Sequence, residues 1–142
     1  MCERARITDR YGIEYSIELS GYDPFFFMVV RRDGVRVGYA NLIVKEGHVE
    51  LADIYINHEQ KPELTFWVRC LGPFRKFLNK NYQSRGIGSK LLNEVISYSR
   101  EIGAASIYGS MMGKEFLSKW YSRHGFEADR STGKILMKLE SN

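Results

Sequence analysis

The sequence predicts an α/β protein in which a mixed, mostly antiparallel sheet is flanked by helices, all within one domain of 142 residues. Residues 15–58 have strand character and are punctuated by Asp33-Gly34 and Glu46-Gly47, which are hairpin signals because both central turn residues must take positive φ. Residues 89–102 place Leu91, Leu92, Val95 and Ile96 on one helical face. The length suits a single domain that buries a real core without disulfide or metal staples. At 44% hydrophobic, 27% charged and 13% aromatic, the composition excludes a disordered tail.

Taken in order, Tyr15, Ile17 and Leu19 alternate with polar neighbours, and residues 25–30 form a continuous apolar run. Val35, Val37 and Tyr39 then share a parity ahead of Asn41-Leu42-Ile43-Val44, giving an antiparallel meander of about four strands. In the fourth, residues 48–57, Val49 and Leu51 have one parity, whereas Ala52, Ile54 and Ile56 have the other. A bulge near Ala52 or Asp53 reconciles them, and burial on both faces serves equally well.

Residues 61–80 change character. Leu64, Trp67, Val68, Leu71, Phe74 and Leu78 fall near helical spacing, with Pro62 in a first-turn position and Gly72-Pro73 as a break, so two short helices are expected. Ile102 extends the apolar face of the 89–102 helix and Gly103 stops it. A strand at 105–111 follows, then an amphipathic helix at 114–124 through Phe116, Leu117, Trp120 and Tyr121, ended by Gly125. Residues 126–128 and 135–139 form a closing hairpin around Ser131-Thr132-Gly133.

The net charge of +4 is mildly basic. The longest apolar run is far short of the roughly 20 residues that cross a bilayer. The first six residues lack the apolar stretch of a secretory signal, so a cytoplasmic address and no membrane partner are expected. Cys2 and Cys70, with His48, His58 and His124, make no metal-ligand spacing, so neither a metal nor a disulfide framework is expected.

The informative stretch is Gln83-Ser84-Arg85-Gly86-Ile87-Gly88-Ser89-Lys90, a two-glycine loop running into the clearest helix. First-turn N–H groups there lack intrahelical partners and carry the positive end of the helix dipole, so they can hold an anion. The spacing is too short for GxxxxGK[ST], and Leu91 takes the third glycine position of GxGxxG. Taken alone, the two glycines serve a tight turn as well as a phosphate site.

Together with Trp120-Tyr121-Ser122-Arg123-His124-Gly125-Phe126, this loop resembles the GNAT superfamily of acyl-CoA-dependent N-acyltransferases. Gln83, Gly86 and Gly88 match its [Q/R]xxGx[G/A] motif, the Leu91-Leu92 pair follows, and Tyr121 stands four residues before Gly125-Phe126. The resemblance covers roughly residues 35–140. It implies a GNAT-like fold whose sheet splays open after the fourth strand, with acetyl-CoA as cosubstrate in the opening.

Pyrophosphate would meet the backbone of the loop formed by Gln83, Ser84, Arg85, Gly86, Ile87, Gly88 and Ser89, and pantetheine would run along Ile54, Tyr55 and Ile56. The implied activity is N-acetyl transfer to a primary amine by direct attack in a ternary complex. Tyr121 would be the acid facing the thioester sulfur. Glu50 would be the base that deprotonates the amine, with Asp53 as its rival. Where many members carry asparagine, this chain has Lys114, which would contact cofactor phosphate or face water.

Two departures stand out. The two helices that normally separate the family's first and second strands are replaced by residues 20–24, and an insertion at 59–82 precedes the glycine loop. That insertion sets Lys61, Arg69, Arg75, Lys76 and Lys80 against Glu59 and Glu63. It reads equally as a lid lending Phe66, Trp67, Phe74 and Phe77 to the acceptor pocket, or as a decoration packed on the sheet. A catalytically silent acyl-CoA-binding module is the alternative function. RNA binding on an aromatic sheet is disfavoured by the modest charge and the missing aromatic signature. The acceptor, a small-molecule or peptide amine, stays open, and exposed sheet edges leave room for a homodimer.

Overall fold

The computed structural model describes residues 2–56, 86–111 and 115–139. The insertion expected over 59–82, together with Gln83, Ser84, Arg85 and Lys114, lies outside the described residues. The order of elements is β1 (Cys2–Thr8), β2 (Glu14–Tyr22), β3 (Phe25–Arg32), β4 (Val35–Lys45), β5 (His48–Ile56), α1 (Ile87–Glu101), β6 (Ser106–Ser110), α2 (Glu115–Arg123), β7 (Glu127–Asp129) and β8 (Lys134–Lys138). The strands form one eight-stranded sheet in the order β1-β2-β3-β4-β5-β6-β8-β7, antiparallel throughout except for the parallel β5–β6 pair.

Both expected hairpin turns form. Asp33 and Gly34 sit at φ 50° and 78°, and Glu46 and Gly47 at 49° and 81°. The four strands expected over residues 15–58 form as β2 to β5, and a fifth, Cys2–Thr8, precedes them and pairs with β2 as an edge strand. Its arginines hid it from a hydrophobic-pattern reading, although charge on an edge strand is a common guard against edge-to-edge pairing. A register shift between Glu3 and Ala5 leaves Arg4 as the extra residue. It reaches α1, with Nε 3.3 Å from Glu94 Oε2 and Nη1 2.8 Å from Glu101 Oε2.

The strand expected as the fourth is therefore β5, and it is bulged. Asn41 pairs with Asp53 and Leu42 with Leu51, which leaves Ala52 over. Val49 and Leu51 thus share a face with Ile54 and Ile56, while Glu50, Asp53 and Tyr55 share the other.

The inner face buries Tyr15, Ile17, Met28, Val30, Ala40, Leu42 and Val49 against Ile87, Leu91, Leu92, Val95 and Ile96 of α1. Each Val, Leu, Ile or Met among them contributes roughly 1.5–3 kcal/mol. Ile102 does not extend that stripe: it is the C-cap, beyond the last turn, and is 42% exposed.

The sheet splays beyond the middle of β5. Its parallel ladder to β6 runs from His48–Ser106 to Leu51–Gly109 and stops, whereas the ladder to β4 continues to Ile56–Gly38. Gly109 permits the close approach at the last rung, since a Cβ there would lie 2.8 Å from the Leu51 carbonyl oxygen. α2 packs on β7 at the far side of the opening.

Candidate functional site

The first turn of α1, the end of β5 and helix α2 converge at the splay. Gly86 is the N-cap of α1 at φ 85° and ψ 1°, a left-handed conformation that a Cβ would strain, and no side chain among the described residues caps the helix. The N–H of Lys90 bonds to the Gly86 carbonyl at 3.3 Å. The amides of Ile87, Gly88 and Ser89 precede that first intrahelical bond and carry the positive end of the dipole. The Ile87 side chain is fully buried and anchors the turn in the core.

A Cβ at Gly88 would sit 3.6 Å from Cζ2 of Trp120 and 3.7 Å from Cγ1 of Ile56. The Trp120 indole N–H donates to Ser89 Oγ at 3.3 Å. An aromatic that the sequence places only on the apolar face of an amphipathic helix therefore ties α2 to the start of α1.

Tyr121 follows on α2, 5% exposed, with its ring edge-on to Trp120 at 4.8 Å and to Phe126 at 5.5 Å between centroids. Burial, with a smaller contribution from the Asp53 carboxylate, pushes its phenol up to about 12. Asp53 is exposed on the outer face and accepts a hydrogen bond from the Tyr39 hydroxyl at 3.0 Å, and the Tyr39 and Tyr55 rings lie 6.1 Å apart. That bond is the main cause raising the Tyr39 phenol, which stays a donor.

Glu50 lies on the same outer face, half-buried, in register with Ile43 and Tyr108 and ion-paired with Lys45 Nζ at 3.3 Å. His124 stacks obliquely on Trp120 at 5.0 Å; its Nε2 is buried with no hydrogen-bond partner among the described residues, and burial followed by Arg123 lowers its pKa.

The fold thus brings Gly86, Ile87, Gly88 and Ser89 together with Ile54, Ile56 and Tyr121, and sets Tyr55 beside Asp53. Glu50 stands one bulge away, engaged with Lys45. Sequence reasoning missed Trp120 and Tyr39 as site residues. The Tyr39–Asp53 contact depends on the register that the Ala52 bulge sets, which a linear pattern does not display. The arrangement fits an anionic pantetheine carrier: the first-turn amides have no side-chain cap among the described residues, and a Cβ on Gly86 would meet nothing within 4 Å among them.

The sequence model described as the acetyltransferase (GNAT) family matches residues 3–126. This chain belongs to that family. Solved structures share the GNAT fold. PaiA N-acetyltransferase from Thermoplasma acidophilum, in complex with coenzyme A, superposes with a TM-score of 0.56 at 20% identity, covering 80% of this chain and 60% of its own. The ribosomal-protein-S18-alanine N-acetyltransferase of Escherichia coli gives 0.61 at 12% identity, covering 86% of this chain and 74% of its own. A GNAT acetyltransferase from Elizabethkingia anophelis with acetyl-CoA bound gives 0.58 at 12%, covering 82% and 77%. This chain therefore spans about 60% of the length of the PaiA enzyme. At these identities the likeness concerns the fold. No curated protein sequence matches the chain. Among the described residues, this GNAT domain has no helix long and apolar enough to cross a membrane.

Proposed function

We propose that this chain is a single GNAT domain, with a helical insertion at about 59–82, that moves an acetyl group from acetyl-CoA to a primary amine by direct attack in a ternary complex. The observation that supports this reading is that Trp120 joins the first turn of α1, near Ile56 at the end of β5, to the Tyr121 ring on α2. The amides of Gly86, Ile87, Gly88 and Ser89, extended by Gln83, Ser84 and Arg85, would hold the pyrophosphate. Ile54, Tyr55 and Ile56 would flank the pantetheine, and Lys114 would meet a phosphate. Acetyl-CoA, when bound, supplies the activated thioester.

The chain's own part is to strip and position protons. An acceptor arriving as RNH3+, with a pKa near 10.4, gives up one proton to become nucleophilic and a second as the C–N bond forms and the C–S bond breaks. One of these protons ends on the thiol and the other in solvent. Glu50, or Asp53 in its place, takes up the first.

Tyr121 keeps its proton at every physiological pH. Against a thiol near 8.5, a phenol at about 12 is the weaker acid by roughly 3.5 units. It therefore serves as a fixed hydrogen-bond donor to charge growing on sulfur, which it stabilises without moving first.

The test is thiol release from acetyl-CoA over a mixed amine panel, with calorimetry of coenzyme A in parallel. Tyr121→Phe should lower kcat by about 10- to 100-fold while leaving coenzyme A affinity unchanged. Coenzyme A binding without turnover of any amine would favour the silent-module alternative, and an absence of coenzyme A binding would sink both.

A further inference from the structure

On the outer face of the sheet, cross-strand register sets apolar side chains beside one carboxylate. Phe27 pairs with Asn41 and Asn41 with Asp53, while Phe25 pairs with Ile43 and Val29 with Tyr39. Phe25 is 55% exposed, Phe27 42% and Tyr55 38%. Among the described elements, α1 covers the opposite face and α2 packs on β7.

The charges on this face are not equivalent. Glu18 is paired with Arg31 at 2.8 Å and Glu50 with Lys45 at 3.3 Å. Asp53 receives the neutral Tyr39 hydroxyl. The Arg36 guanidinium lies over the Tyr39 ring at 5.4 Å, and the surface is apolar towards Phe27 and Phe25. Asp53 also sits where the β6 ladder has ended, near enough to Tyr121 for its charge to act on the phenol.

We infer that the acceptor is a primary amine with a single positive charge and an alkyl or arylalkyl body, its ammonium held by Asp53 and its body lying across Asn41 onto Phe27 and Phe25. This rests on the acyl-transfer reading above. Two inter-strand spacings separate Asp53 from Phe27, about 10 Å, the reach of a six-carbon or phenylethyl amine. For the second charge of a polyamine, Glu18 and Glu50 of this face are already ion-paired, and the carboxylate of a free amino acid is repelled by Asp53. The bound ammonium also offsets one of the two causes that raise the Tyr121 phenol, which improves it as a donor when the acceptor is in place.

The test uses the full chain in two assays: thiol release with hexylamine, phenylethylamine, ethylamine, spermidine, alanine and a short peptide, and calorimetric titration of the same amines into protein with and without coenzyme A. Hexylamine and phenylethylamine should exceed ethylamine, spermidine and alanine by about tenfold or more in kcat/KM. Phe27→Ser should raise KM for hexylamine about tenfold and leave that for ethylamine unchanged. Asp53→Asn should raise KM for both by about 10- to 100-fold, with Asp53→Glu recovering part of the loss and coenzyme A affinity constant.

A preference for spermidine or the peptide, or an indifferent Phe27→Ser, overturns the proposal. So does a dimer that Phe27→Ser dissociates, because a second copy would then own this face. If coenzyme A fails to bind, the acyl-transfer reading falls by itself. Hexylamine binding to the free protein then still decides the acceptor claim: loss of that binding in Asp53→Asn supports it, and no binding at all overturns it.

Discussion

Tyr121 keeps its proton far into the alkaline range because burial penalises the phenolate, and this has a cost in stability that runs in one direction. An unfolded tyrosine titrates near 10, whereas the folded one titrates at about 12. Between those values the unfolded chain has released a proton that the folded chain still holds, so each step up in pH favours unfolding. The contribution is fully present below pH 10 and lost as pH rises to about 12. Tyr121→Phe removes this dependence. The fall in urea midpoint between pH 8 and pH 11 should be smaller in the variant than in the parent, and equal falls would mean that the phenol is not buried in solution. Because the phenol stays protonated below pH 10, an alkaline limb of activity in that range should survive in whatever turnover Tyr121→Phe retains.

At the level of elements, the bulge in β5 separates a flat sheet from one with an opening. Without Ala52, the run Val49-Glu50-Leu51-Asp53-Ile54-Tyr55-Ile56 alternates regularly and keeps every side chain on its present face. Deleting Ala52 should therefore leave the protein folded, with a melting temperature within a few degrees of the parent. It should straighten the strand towards β6 and weaken coenzyme A binding by about tenfold or more. Retained affinity would show that the bulge does not create the splay.

The conflict of parity at Val49, Leu51, Ile54 and Ile56 was visible in the sequence, and so was the glycine loop before α1. Both report local backbone requirements, which short spacings encode. β1 was not legible, because Arg4 and Arg6 break the apolar alternation that marks a strand, and Arg4 acts through α1, 90 residues away at Glu94. The Trp120–Ser89 and Tyr39–Asp53 contacts were hidden for the same reason: each joins residues whose proximity exists only after the strands and helices have docked.

Across the whole molecule, β1 closes the sheet and also holds the central helix. Arg4 meets Glu94 and Glu101 and lies over the Tyr98 ring at 5.2 Å, while Lys90 Nζ donates to the Thr8 carbonyl at 2.6 Å. Arg4→Met should lower stability by about 1 kcal/mol, read from the urea midpoint, with coenzyme A affinity unchanged. A loss of affinity would mean that the edge strand also positions the α1 amides.

The ladders from β1 to β5 join chain neighbours through short turns, so they close cheaply. The β5–β6 ladder instead brings His48 to Ser106, 58 residues on, with a ring nitrogen 2.6 Å from the serine hydroxyl. That long loop makes the seam a late event in folding, after most of the meander has condensed. A ligand seated in a junction formed after the rate-limiting step lengthens the native lifetime without hastening its formation. Stopped-flow traces with coenzyme A should accordingly show slower unfolding and an unaltered refolding arm.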